Sequence, residues 1–584
     1  MPVIRSVFRS LAAAIAGATL LGAAPQPAAV VYSLSPEMKD GALVALDVVA
    51  QYSADATGDG SFEWQRGWGG EDRLWQWTRD FKVEGALRVE DRGDGQWKIT
   101  AAPRAPLIVR YQVVSAFDHD PTVNDRFNQA MPIVRPTWFY VVGESLFGAP
   151  VGRDKTPAAF SWRAGPSRFS FASDLQHMAD PATPGRKPAR PGTVADIQES
   201  ISLGGSDVRV AGETSKGSGV RIASRGAYSF AAPDFEALTL RIIAAERRFW
   251  GDGPAPFLVA LAPLAARPGS VQYSGAGRTD AFAIWYDQAM PLDRAKWLLA
   301  HEYFHTWNAR QIGKLNADRL EEPAGYWVSE GFTDYYARRM TLGAGVWTLQ
   351  DFADAWNEVL KSYDLSSERR TPNKQLIGKY WNDPVLRQLP YWRGSLVAAV
   401  LDAKLRMGDP QGLDRLIRLQ RQIAKSPHPE PDAATLFRRV LRDRRPDLDA
   451  WVEEVVEHGE VATLPSDAFA PCFTIETWMA PTFERGFDLG ATLRNDHKVV
   501  GLDPEGPAAR AGLKAADRIS IDESGSDPQV KRRYVVHEPG GGSHVVEYLP
   551  QGPAAPLQQL RVAPGLGRRA TADCVQRYGL RRVR

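Results

Sequence analysis

The segment from His301 to Asn308, H-E-Y-F-H-T-W-N, constrains this 584-residue chain more than any other. An α-helix turns about 100° per residue, so side chains four positions apart lie on one face, one turn apart. On a helix, His301 and His305 can therefore bind one metal ion. Glu302 follows the first histidine, where its carboxylate can take a proton from a water that the metal activates. The spacing predicts a zinc site and metal-dependent hydrolysis.

The residues before the motif also favour a helix. Leu298, Leu299 and Ala300 are good helix formers. Asp293 is placed to act as the N-cap, and Pro291 marks where the preceding segment stops. The motif is therefore expected on a helix that follows Asp293.

Two histidines leave a zinc site short of a third protein ligand, and the segment W-V-S-E-G-F-T-D-Y-Y, residues 327–336, contains a candidate for it. Catalytic zinc sites often combine two histidines and one glutamate with an open position, and Glu330 is the candidate third ligand. Asp334 follows one turn later, where it can accept the second N–H of a ligating histidine. Asn308 is grouped with it as a supporting residue. A solvated helix face is the alternative, but four aromatic residues surround this pair: Trp327, Phe332, Tyr335 and Tyr336.

Charge and length limit the kinds of partner and the architecture. The chain has 71 Lys and Arg against 69 Asp and Glu, a formal net charge of +2. No overall field would draw it to nucleic acid or to an anionic membrane, so neither partner is predicted. The length exceeds what one hydrophobic core supports and predicts roughly three or four domains.

Residues 1–24 have the pattern of an export signal. Arg5 and Arg9 precede an apolar stretch, Leu11 to Leu21, and small residues follow it. Cleavage is expected between Gly22 and Ala29. The apolar stretch is too short to span a bilayer, and no later stretch has the required ~20 apolar residues. The sequence predicts an exported protein, periplasmic or secreted, without stable membrane insertion; an uncleaved anchor is the alternative.

Residues 25–164 predict an N-terminal β-sandwich, because short segments rich in Val, Ile, Trp and Tyr alternate with turn residues. Strands are expected over 43–52, 81–90, 96–100 and 107–117, and R-G-D-G at 92–95 predicts a hairpin. The segment D-A-T-G-D-G at 55–60 resembles the start of a calcium loop. Its twelfth position is Arg66 where a glutamate is required, so a turn is predicted. Trp64, Trp68, Trp75 and Trp77 fit either packing at a domain face or a ligand platform.

Residues 165–465 combine strands and helices around the metal motif. Strands are expected over 208–210, 219–222 and 256–261, and helices over 233–249 and 394–406. Strands before the motif and helices after it predict an α+β domain.

Residues 471–584 resemble a PDZ domain of the bacterial protease type. The resemblance rests on G-F-D-L-G at 486–490 and G-P-A-A-R-A-G-L at 506–513, although Ala516 replaces the usual glycine before Asp517. A PDZ groove adds an extended peptide as a strand and captures its carboxylate with backbone N–H groups. The residues implied here are Phe487, Asp488, Leu489 and Gly490. A purely structural module is the alternative.

Two cysteines, Cys472 and Cys574, bracket this C-terminal module. An exported protein meets an oxidising compartment, so a single disulfide is expected. Two buried free thiols are the alternative.

In this order the three regions resemble the glycyl-aminopeptidase-like gluzincin metallopeptidases, which join a β-rich domain, a thermolysin-like catalytic domain and a PDZ domain. The match includes both motifs above and P-Y-W-R-G at 390–394. The resemblance implies one Zn²⁺ per chain held by His301, His305 and Glu330, with Glu302 as general base and later acid. It also implies that the Tyr391 phenol stabilises the oxyanion of the intermediate. Packing alone is the alternative for Tyr391.

One segment departs from that family. Relatives with aminopeptidase activity usually carry an acidic residue in a Gly-rich strand upstream of the metal helix, where it grips the substrate amine. This chain reads Y-S-G-A-G-R-T-D-A at 273–281. Arg278 has the wrong charge to bind an ammonium group, and Asp280 would replace the acidic residue only if the register shifts. Exopeptidase specificity is therefore open.

The sequence predicts an exported zinc metallopeptidase that hydrolyses peptides or proteins, with an aminopeptidase favoured over an endopeptidase. Peptide termini are the expected ligands of the PDZ groove. Two other functions compete with this one: a peptide-binding adaptor whose peptidase domain is inert, and hydrolysis of a non-peptide amide or an epoxide at the same site.

Overall fold

The computed structural model describes residues 29–68, 71–122, 129–163, 169–178, 192–212, 219–264, 273–316, 321–381, 383–426, 432–490, 497–521 and 527–580. The predicted export signal, residues 1–24, and most of its expected cleavage region lie outside the described residues.

The N-terminal region is rich in β-structure, as predicted. Its elements are β1 (Val30–Lys39), β2 (Ala42–Ser53), β3 (Asp59–Glu63), β4 (Thr78–Glu84), β5 (Ala86–Gly93), β6 (Gln96–Ala101), β7 (Pro106–Val113), β8 (Ile133–Arg135), β9 (Trp138–Val142), α1 (Gly143–Leu146), β10 (Ala149–Pro150), β11 (Pro157–Trp162), β12 (Ser170–Ser173), β13 (Gly192–Thr193), α2 (Val194–Gln198) and β14 (Ile201–Gly205). The strand orders are β13-β11-β1-β2-β7-β4, β10-β3-β6-β5 and β12-β14-β9-β8. The first two sheets share one core, in which Val48 and Val109 meet Phe62 and Ile99.

The segment predicted as one strand over 81–90 is two strands. Gly85 separates them with a φ of +87°, a backbone conformation that side chains other than glycine rarely adopt. A Cβ at Gly85 would also overlap the carbonyl oxygen of Pro106. The chain turns there from the first sheet into the second, so β4 and β5 belong to different layers.

A mixed sheet forms the floor of the central region. Its elements are β15 (Arg209–Ala211), β16 (Val220–Ser224), α3 (Ala232–Trp250), β17 (Phe257–Leu264), β18 (Tyr273–Gly277) and β19 (Ala281–Asp287), and the strand order is β15-β16-β17-β19-β18. Val259 and Ile284 face the helices, whereas Leu258 and Trp285 face the N-terminal region. Both faces are therefore buried, and β18 is an edge strand.

Helices follow the sheet. They are α4 (Ala295–Phe304), α5 (Tyr326–Ser329), α6 (Gly331–Gly343), α7 (Leu349–Asp364), α8 (Pro384–Arg406), α9 (Leu413–Ile423), α10 (Ala433–Arg442) and α11 (Pro446–Val456). Glycines allow α6 and α8 to approach closely, because a Cβ at Gly331 would overlap the backbone of Gly394. The described residues thus form a multidomain α+β protein whose helical region lies against the central sheet.

The C-terminal part contains β20 (Phe473–Phe483), β21 (Asp488–Gly490), β22 (His497–Val500), α12 (Pro507–Arg510), β23 (Arg518–Ile521), β24 (Arg532–His537), β25 (Ser543–Tyr548), β26 (Gln551–Val562) and α13 (Arg568–Tyr578). Strands β21 to β25 form one antiparallel sheet with its own core, whereas β20 and β26 form a separate two-stranded sheet. Phe473 and Leu560, from that pair, belong to the hydrophobic core of the helical region. The two ends of the C-terminal part therefore pack onto the helices, and the sheet lies between them in sequence.

Within the described part of the chain, no helix is both long enough and apolar enough to cross a membrane.

Candidate metal centre

Helix α4 presents the metal motif. It begins at Ala295, after one 3₁₀ turn that includes Asp293, so the prediction of Asp293 as N-cap is wrong. Asp293 instead pairs with Lys296 in the next turn. His305 ends the helix with helical φ and ψ angles of −62° and −13°. The one-turn spacing of His301 and His305 is therefore kept.

Three potential ligand atoms converge at the end of α4. The Nε2 atoms of His301 and His305 lie 3.1 Å apart. Glu330, at the junction of α5 and α6, places Oε2 3.4 Å from each of them. Among the described residues, this trio is the one group of three or more His, Cys, Asp or Glu side chains found in metal-binding proximity. The structure thus brings together the three residues predicted as zinc ligands.

The opposite ring nitrogens show which atoms are free to bind a metal. His301 Nδ1 lies 2.9 Å from Asp334 Oδ1, and His305 Nδ1 lies 2.7 Å from the carbonyl oxygen of Asn308. A carboxylate and a carbonyl only accept hydrogen bonds, so both Nδ1 atoms donate. In the neutral rings both Nε2 atoms then carry lone pairs. Two such lone pairs facing each other beside a carboxylate fit a divalent cation, and the two-histidine, one-glutamate set suits zinc.

Asp334 and Asn308 support the histidines in different ways. Asp334 orients His301 directly, and Arg338 in turn donates to the Asp334 backbone carbonyl at 2.8 Å. Asn308 holds His305 through its backbone carbonyl. Its buried side-chain amide instead donates to the carbonyls of Val328 and Ser329 at 2.8 and 3.2 Å. Asn308 therefore ties the helix of the two histidines to the segment that carries the third ligand.

The electrostatics favour a positive charge at this point. Burial lowers the pKa of His301, but hydrogen bonds to the Asp334 and Glu330 carboxylates outweigh it and raise that pKa to about 10. Burial raises the pKa of Glu330, yet the two histidines bring it far below its usual range. In the metal-free protein a proton is held where the lone pairs converge, and a metal ion would displace it.

Glu302 is the carboxylate next to the ligand cluster, and a strand of small residues passes beside it. A Cβ at Gly275 of β18 would overlap the Glu302 carboxyl group, whereas a Cβ at Gly277 would meet Glu302 Oε2 at an ordinary 3.8 Å. Burial raises the pKa of Glu302, and His301 and His305 partly oppose that rise. Glu302 is therefore a poorly solvated carboxyl group with a more basic carboxylate than usual, as a general base near neutral pH needs.

Tyr391 lies close to the first histidine. It follows Pro390 in α8, and its ring centre is 6.1 Å from that of His301. Burial raises the pKa of Tyr391 well above 10, with a further rise from the Glu330 carboxylate, so the phenol keeps its proton. Tyr391 can therefore donate a hydrogen bond at neutral pH.

A cleft of about 760 Å³ opens beside these residues. His301, Glu302 and Tyr391 line it. Aromatic side chains and three carboxylates of α7 form much of the remaining wall: Tyr273, Trp297, Trp347, Trp392, Asp351, Asp354 and Glu358. This volume lies within the range typical of ligand-binding clefts.

The structure changes the interpretation of Arg278 and Asp280. Arg278 is buried, pairs with Glu144 at 3.1 Å and stacks on Trp68 at 3.6 Å, so its charge is neutralised. Asp280 lies 3.4 Å from His177 and does not line the cleft. The first therefore offers no free positive charge to a substrate, and the second does not replace the acidic residue of the related aminopeptidases.

The residues predicted for the PDZ groove and the disulfide lie in the C-terminal part. Phe487 is only 6% exposed and packs 5.4 Å from Tyr534 in the core of the small sheet. Asp488, Leu489 and Gly490 form β21 at the edge of that sheet. Cys472 and Cys574 form a disulfide with their Cα atoms 5.7 Å apart, and both lie in the core of the helical region.

Sequence reasoning missed three residues near the site: Gly275, Glu144 and Tyr380. The small-residue run S-G-A-G at 274–277 signals a close approach of backbone to another group, so Gly275 was open to prediction. Glu144 carries no local signal, because its partner Arg278 is 134 residues further along the chain. Tyr380 is close to Tyr391 in sequence, but it belongs to no recognised motif.

Known proteins resemble this chain at two levels. Residues 294–377 match the model of the M61 glycyl aminopeptidase family. No curated protein matches the chain. An aminopeptidase N family protein from Idiomarina loihiensis has a similar structure, with a TM-score of 0.68 and 16% identity over 94% of this chain and 99% of that one.

Two further structures are of an M1 zinc metallopeptidase from Deinococcus radiodurans, one of them with a bound Tyr-Ser-Ala substrate. Their TM-scores are 0.48 and 0.47 at 15% identity, over 75% of this chain and 96% of theirs. At 16% identity the likeness to the Idiomarina protein is one of fold. This chain therefore shares its fold with an aminopeptidase N family protein, and its metal-site segment is similar to M61 glycyl aminopeptidases.

Proposed function

We propose that this protein is an exported zinc metallopeptidase of the gluzincin type, with a thermolysin-like catalytic domain and one Zn²⁺ per chain. The observation that carries the proposal is the convergence of the His301, His305 and Glu330 ligand atoms beside Glu302. The family match over residues 294–377 covers this same segment.

The residues of the site divide the reaction between them. Bound zinc would polarise the scissile carbonyl and make a water molecule more acidic. Glu302 takes the proton of the attacking water and returns it to the departing amine. Tyr391 donates its O–H to the oxygen on which negative charge develops, because a preorganised donor stabilises that charge more than the ground-state carbonyl.

The edge of β18 favours removal of residues from the amino terminus. The Gly277 carbonyl accepts hydrogen bonds from Arg278 at 2.8 Å and from Arg310 at 3.0 Å. The Gly275 carbonyl accepts one from Gln129 at 3.0 Å. Backbone acceptors on this part of the edge are thus taken by residues of the protein itself.

The other end of the same strand is open, since Tyr273 lines the cleft. A substrate strand antiparallel to β18 would begin near Gly277 and leave past Tyr273. Its amino terminus then lies at the occupied end, with little room for residues before the scissile bond. An aminopeptidase is therefore the specificity we propose, in line with the name of the matched family.

We extend the proposal to the C-terminal sheet and to the compartment. Strand β21 lies at the edge of this sheet, where the terminus of a peptide would add as a further strand, as in a PDZ groove. Phe487 contributes to that site through its backbone, because its side chain is in the core. The Cys472–Cys574 disulfide supports an oxidising compartment, periplasmic or extracellular.

The test combines metal content with product analysis. The purified protein is expected to contain one zinc per chain, to lose activity with a chelator and to regain it with added zinc. Mass spectrometry of products from a defined peptide library is expected to show stepwise loss of amino-terminal residues. Internal cuts would instead establish an endopeptidase.

Glu302→Gln is the matched control for that test. It keeps the size of the side chain and the metal ligands but removes the base, so turnover should fall by about 10²- to 10⁴-fold with zinc content unchanged. A fully active variant would remove Glu302 from the reaction. Metal-free protein that binds peptides without cleaving them would favour the adaptor function.

A further inference from the structure

Aromatic side chains form an exposed wall in the cleft that His301 and Glu302 line. These side chains are Tyr273, Trp297, Trp347 and Trp392. Tyr273 is 41% exposed, and the three tryptophans are half-buried. The faces of such rings attract cations, and the apolar stems of Lys and Arg pack well against them. The wall therefore suits an apolar side chain or a long basic one, and the charges nearby decide between the two.

Helix α7 supplies those charges along one stripe of its surface. Its residues that line the cleft are Asp351, Asp354, Ala355, Glu358, Val359 and Ser362. They recur every three or four positions, so they share one face of the helix. Phe352 and Trp356, on another face, belong to the core of the helical region. The acidic stripe, Asp351, Asp354 and Glu358, thus lies along the same cleft as the aromatic wall.

The hydrogen-bond partners of the acidic stripe are neutral. Asp351 accepts hydrogen bonds from the N-cap residue of the helix, and Asp354 accepts one from a glutamine amide at 2.8 Å. The basic residue of α7, Lys361, comes three positions after Glu358 but pairs with Asp527 at 2.7 Å. The negative charge of the stripe therefore faces the cleft.

The arginines of the cleft offset only part of this charge. Arg294 and Arg338 line the cleft. Arg338 is buried and donates to the Asp334 carboxylate at 3.4 Å, so its charge is already paired. Arg294 is exposed. The described lining of the cleft therefore carries more negative than positive charge.

The spacing of the acidic stripe fits a peptide better than a single ion. At 1.5 Å per residue, the helix rises about 10 Å from Asp351 to Glu358. In the part of the chain that the structure describes, these carboxylates do not form a group close enough to hold a metal. An extended peptide advances about 3.3 Å per residue, so about three of its residues can pass the stripe.

We propose that this cleft selects peptides with Lys or Arg at one of the two positions after the scissile bond. Asp354 and Glu358 bind the charged head of that side chain, and the aromatic wall contacts its stem. Residues after the scissile bond pass this wall because the substrate strand leaves the site past Tyr273. The inference rests on the proposed peptidase function and names its substrate class.

The first experiment compares kcat/KM for peptides that differ only at these two positions, with Arg, norleucine or Glu in turn. Arg should be preferred over norleucine about tenfold, since a cation–π contact and exposed ion pairs each contribute modestly. Glu should be cleaved more slowly than norleucine. The preference for Arg should decrease as salt is added, because exposed charges are screened. Equal kcat/KM for Arg and norleucine at both positions would overturn the proposal.

Two double variants test the carboxylates. Asp354→Asn, Glu358→Gln should reduce the preference for Arg to about twofold or less, and Asp354→Lys, Glu358→Lys should invert it in favour of Glu. Glu454→Gln is the control, because Glu454 is exposed on α11 and does not line the cleft. It should keep the preference of wild type. All changed positions are exposed, so the thermal unfolding midpoint should stay within a few degrees. A preference for Arg that survives both double variants would also overturn the proposal.

Peptide binding separates this inference from the function on which it rests. In calorimetry, Glu302→Gln should bind the Arg peptide about tenfold more tightly than the norleucine peptide. If wild type hydrolyses nothing but this difference in binding is found, the function falls and the selectivity of the cleft stands. If wild type cleaves and binds both peptides equally, the function stands and the selectivity falls. Neither cleavage nor binding would overturn both.

Discussion

At the scale of single residues, the candidate centre depends on which atoms face each other. Each histidine has one nitrogen occupied by a hydrogen-bond acceptor, and this leaves the other nitrogen directed at Glu330. Glu302 is set beside them because the neighbouring strand has no side chain at Gly275. A single methyl group at that position should therefore disturb the reaction more than the fold.

Gly275→Ala tests this dependence. The added Cβ overlaps the Glu302 carboxyl group, which is the mobile end of its side chain, so the carboxylate must shift while the backbone stays. A shift of about 1 Å in a catalytic group can cost about 10²-fold in rate. We expect kcat/KM to fall by at least tenfold while zinc content and the thermal unfolding midpoint stay close to wild type.

Gly277→Ala is the control for that change, two residues along the same strand. Its Cβ would meet His305 Cβ at 3.6 Å, an ordinary contact, so its activity should remain close to wild type. Equal activity of the two variants would contradict the role given to Gly275.

At the scale of elements, α3 and α4 pack together around an unusual carboxyl group. Glu246 of α3 is fully buried, and neither carboxyl oxygen has a hydrogen-bond partner in the described structure. Burial raises the pKa of Glu246 far above its usual range, with His301 opposing that rise. Burial therefore favours the protonated, neutral form of this group in the folded protein.

The pH dependence of stability follows from that state. Unfolded Glu246 ionises above pH ~4.3, whereas the folded one keeps its proton to a higher pH. A raised folded-state pKa gives stability that is present below pH ~4.3 and is lost as the pH rises toward the folded-state pKa. From this group alone, the free energy of unfolding should therefore fall by up to ~1.4 kcal/mol for each unit by which the pH increases.

Glu246→Gln should remove that dependence and keep the shape of the side chain. Chemical denaturation at pH 5, 6, 7 and 8 should show the variant gaining stability relative to wild type as the pH increases. A difference between the two proteins that is constant across this range would show that Glu246 is ionised, or paired, in the folded state.

At the scale of the whole molecule, the C-terminal part is joined to the helical region at both of its ends. Phe473 and Leu560 lie in the core of that region, and Asn357 of α7 bonds the backbone of Leu560 at 2.7 and 3.0 Å. Arg485 pairs with Asp383, the N-cap of the helix that carries Tyr391. The C-terminal part is therefore anchored to two helices that line the cleft.

The disulfide links two segments that lie in the core of the helical region. Its removal should therefore lower the stability of that region. Cys472 and Cys574 are 102 residues apart. A cross-link over about 100 residues constrains the unfolded chain by up to ~4.7 kcal/mol on the entropic model. The double variant Cys472→Ser, Cys574→Ser should unfold at a lower temperature in calorimetry and lose activity on heating in parallel.

A reducing agent provides the control, since it should lower the unfolding midpoint of wild type but not of the double variant. Equal midpoints for oxidised wild type and the double variant would show that the bond adds nothing to folded-state stability.

Much of the fold could be predicted because secondary structure has a local period. The helix expected over 233–249 is found as Ala232–Trp250, and the strand expected over 256–261 as Phe257–Leu264. The predicted boundaries of helices and strands were wrong where a single residue interrupts the periodic pattern of the sequence. Gly85 divides one expected strand into two, and Asp293 lies in a 3₁₀ turn instead of capping α4.

The sequence by itself was enough to predict the two histidine ligands, because residues one helical turn apart lie on the same face of a helix. It was also enough to propose Glu330 as the third ligand. Tertiary structure alone decided the partners of these groups. Arg278 is neutralised by Glu144, 134 residues away, and the Asn308 amide reaches carbonyls 20 and 21 residues ahead. Such pairings arise from how the layers pack, and no periodicity along the chain records them.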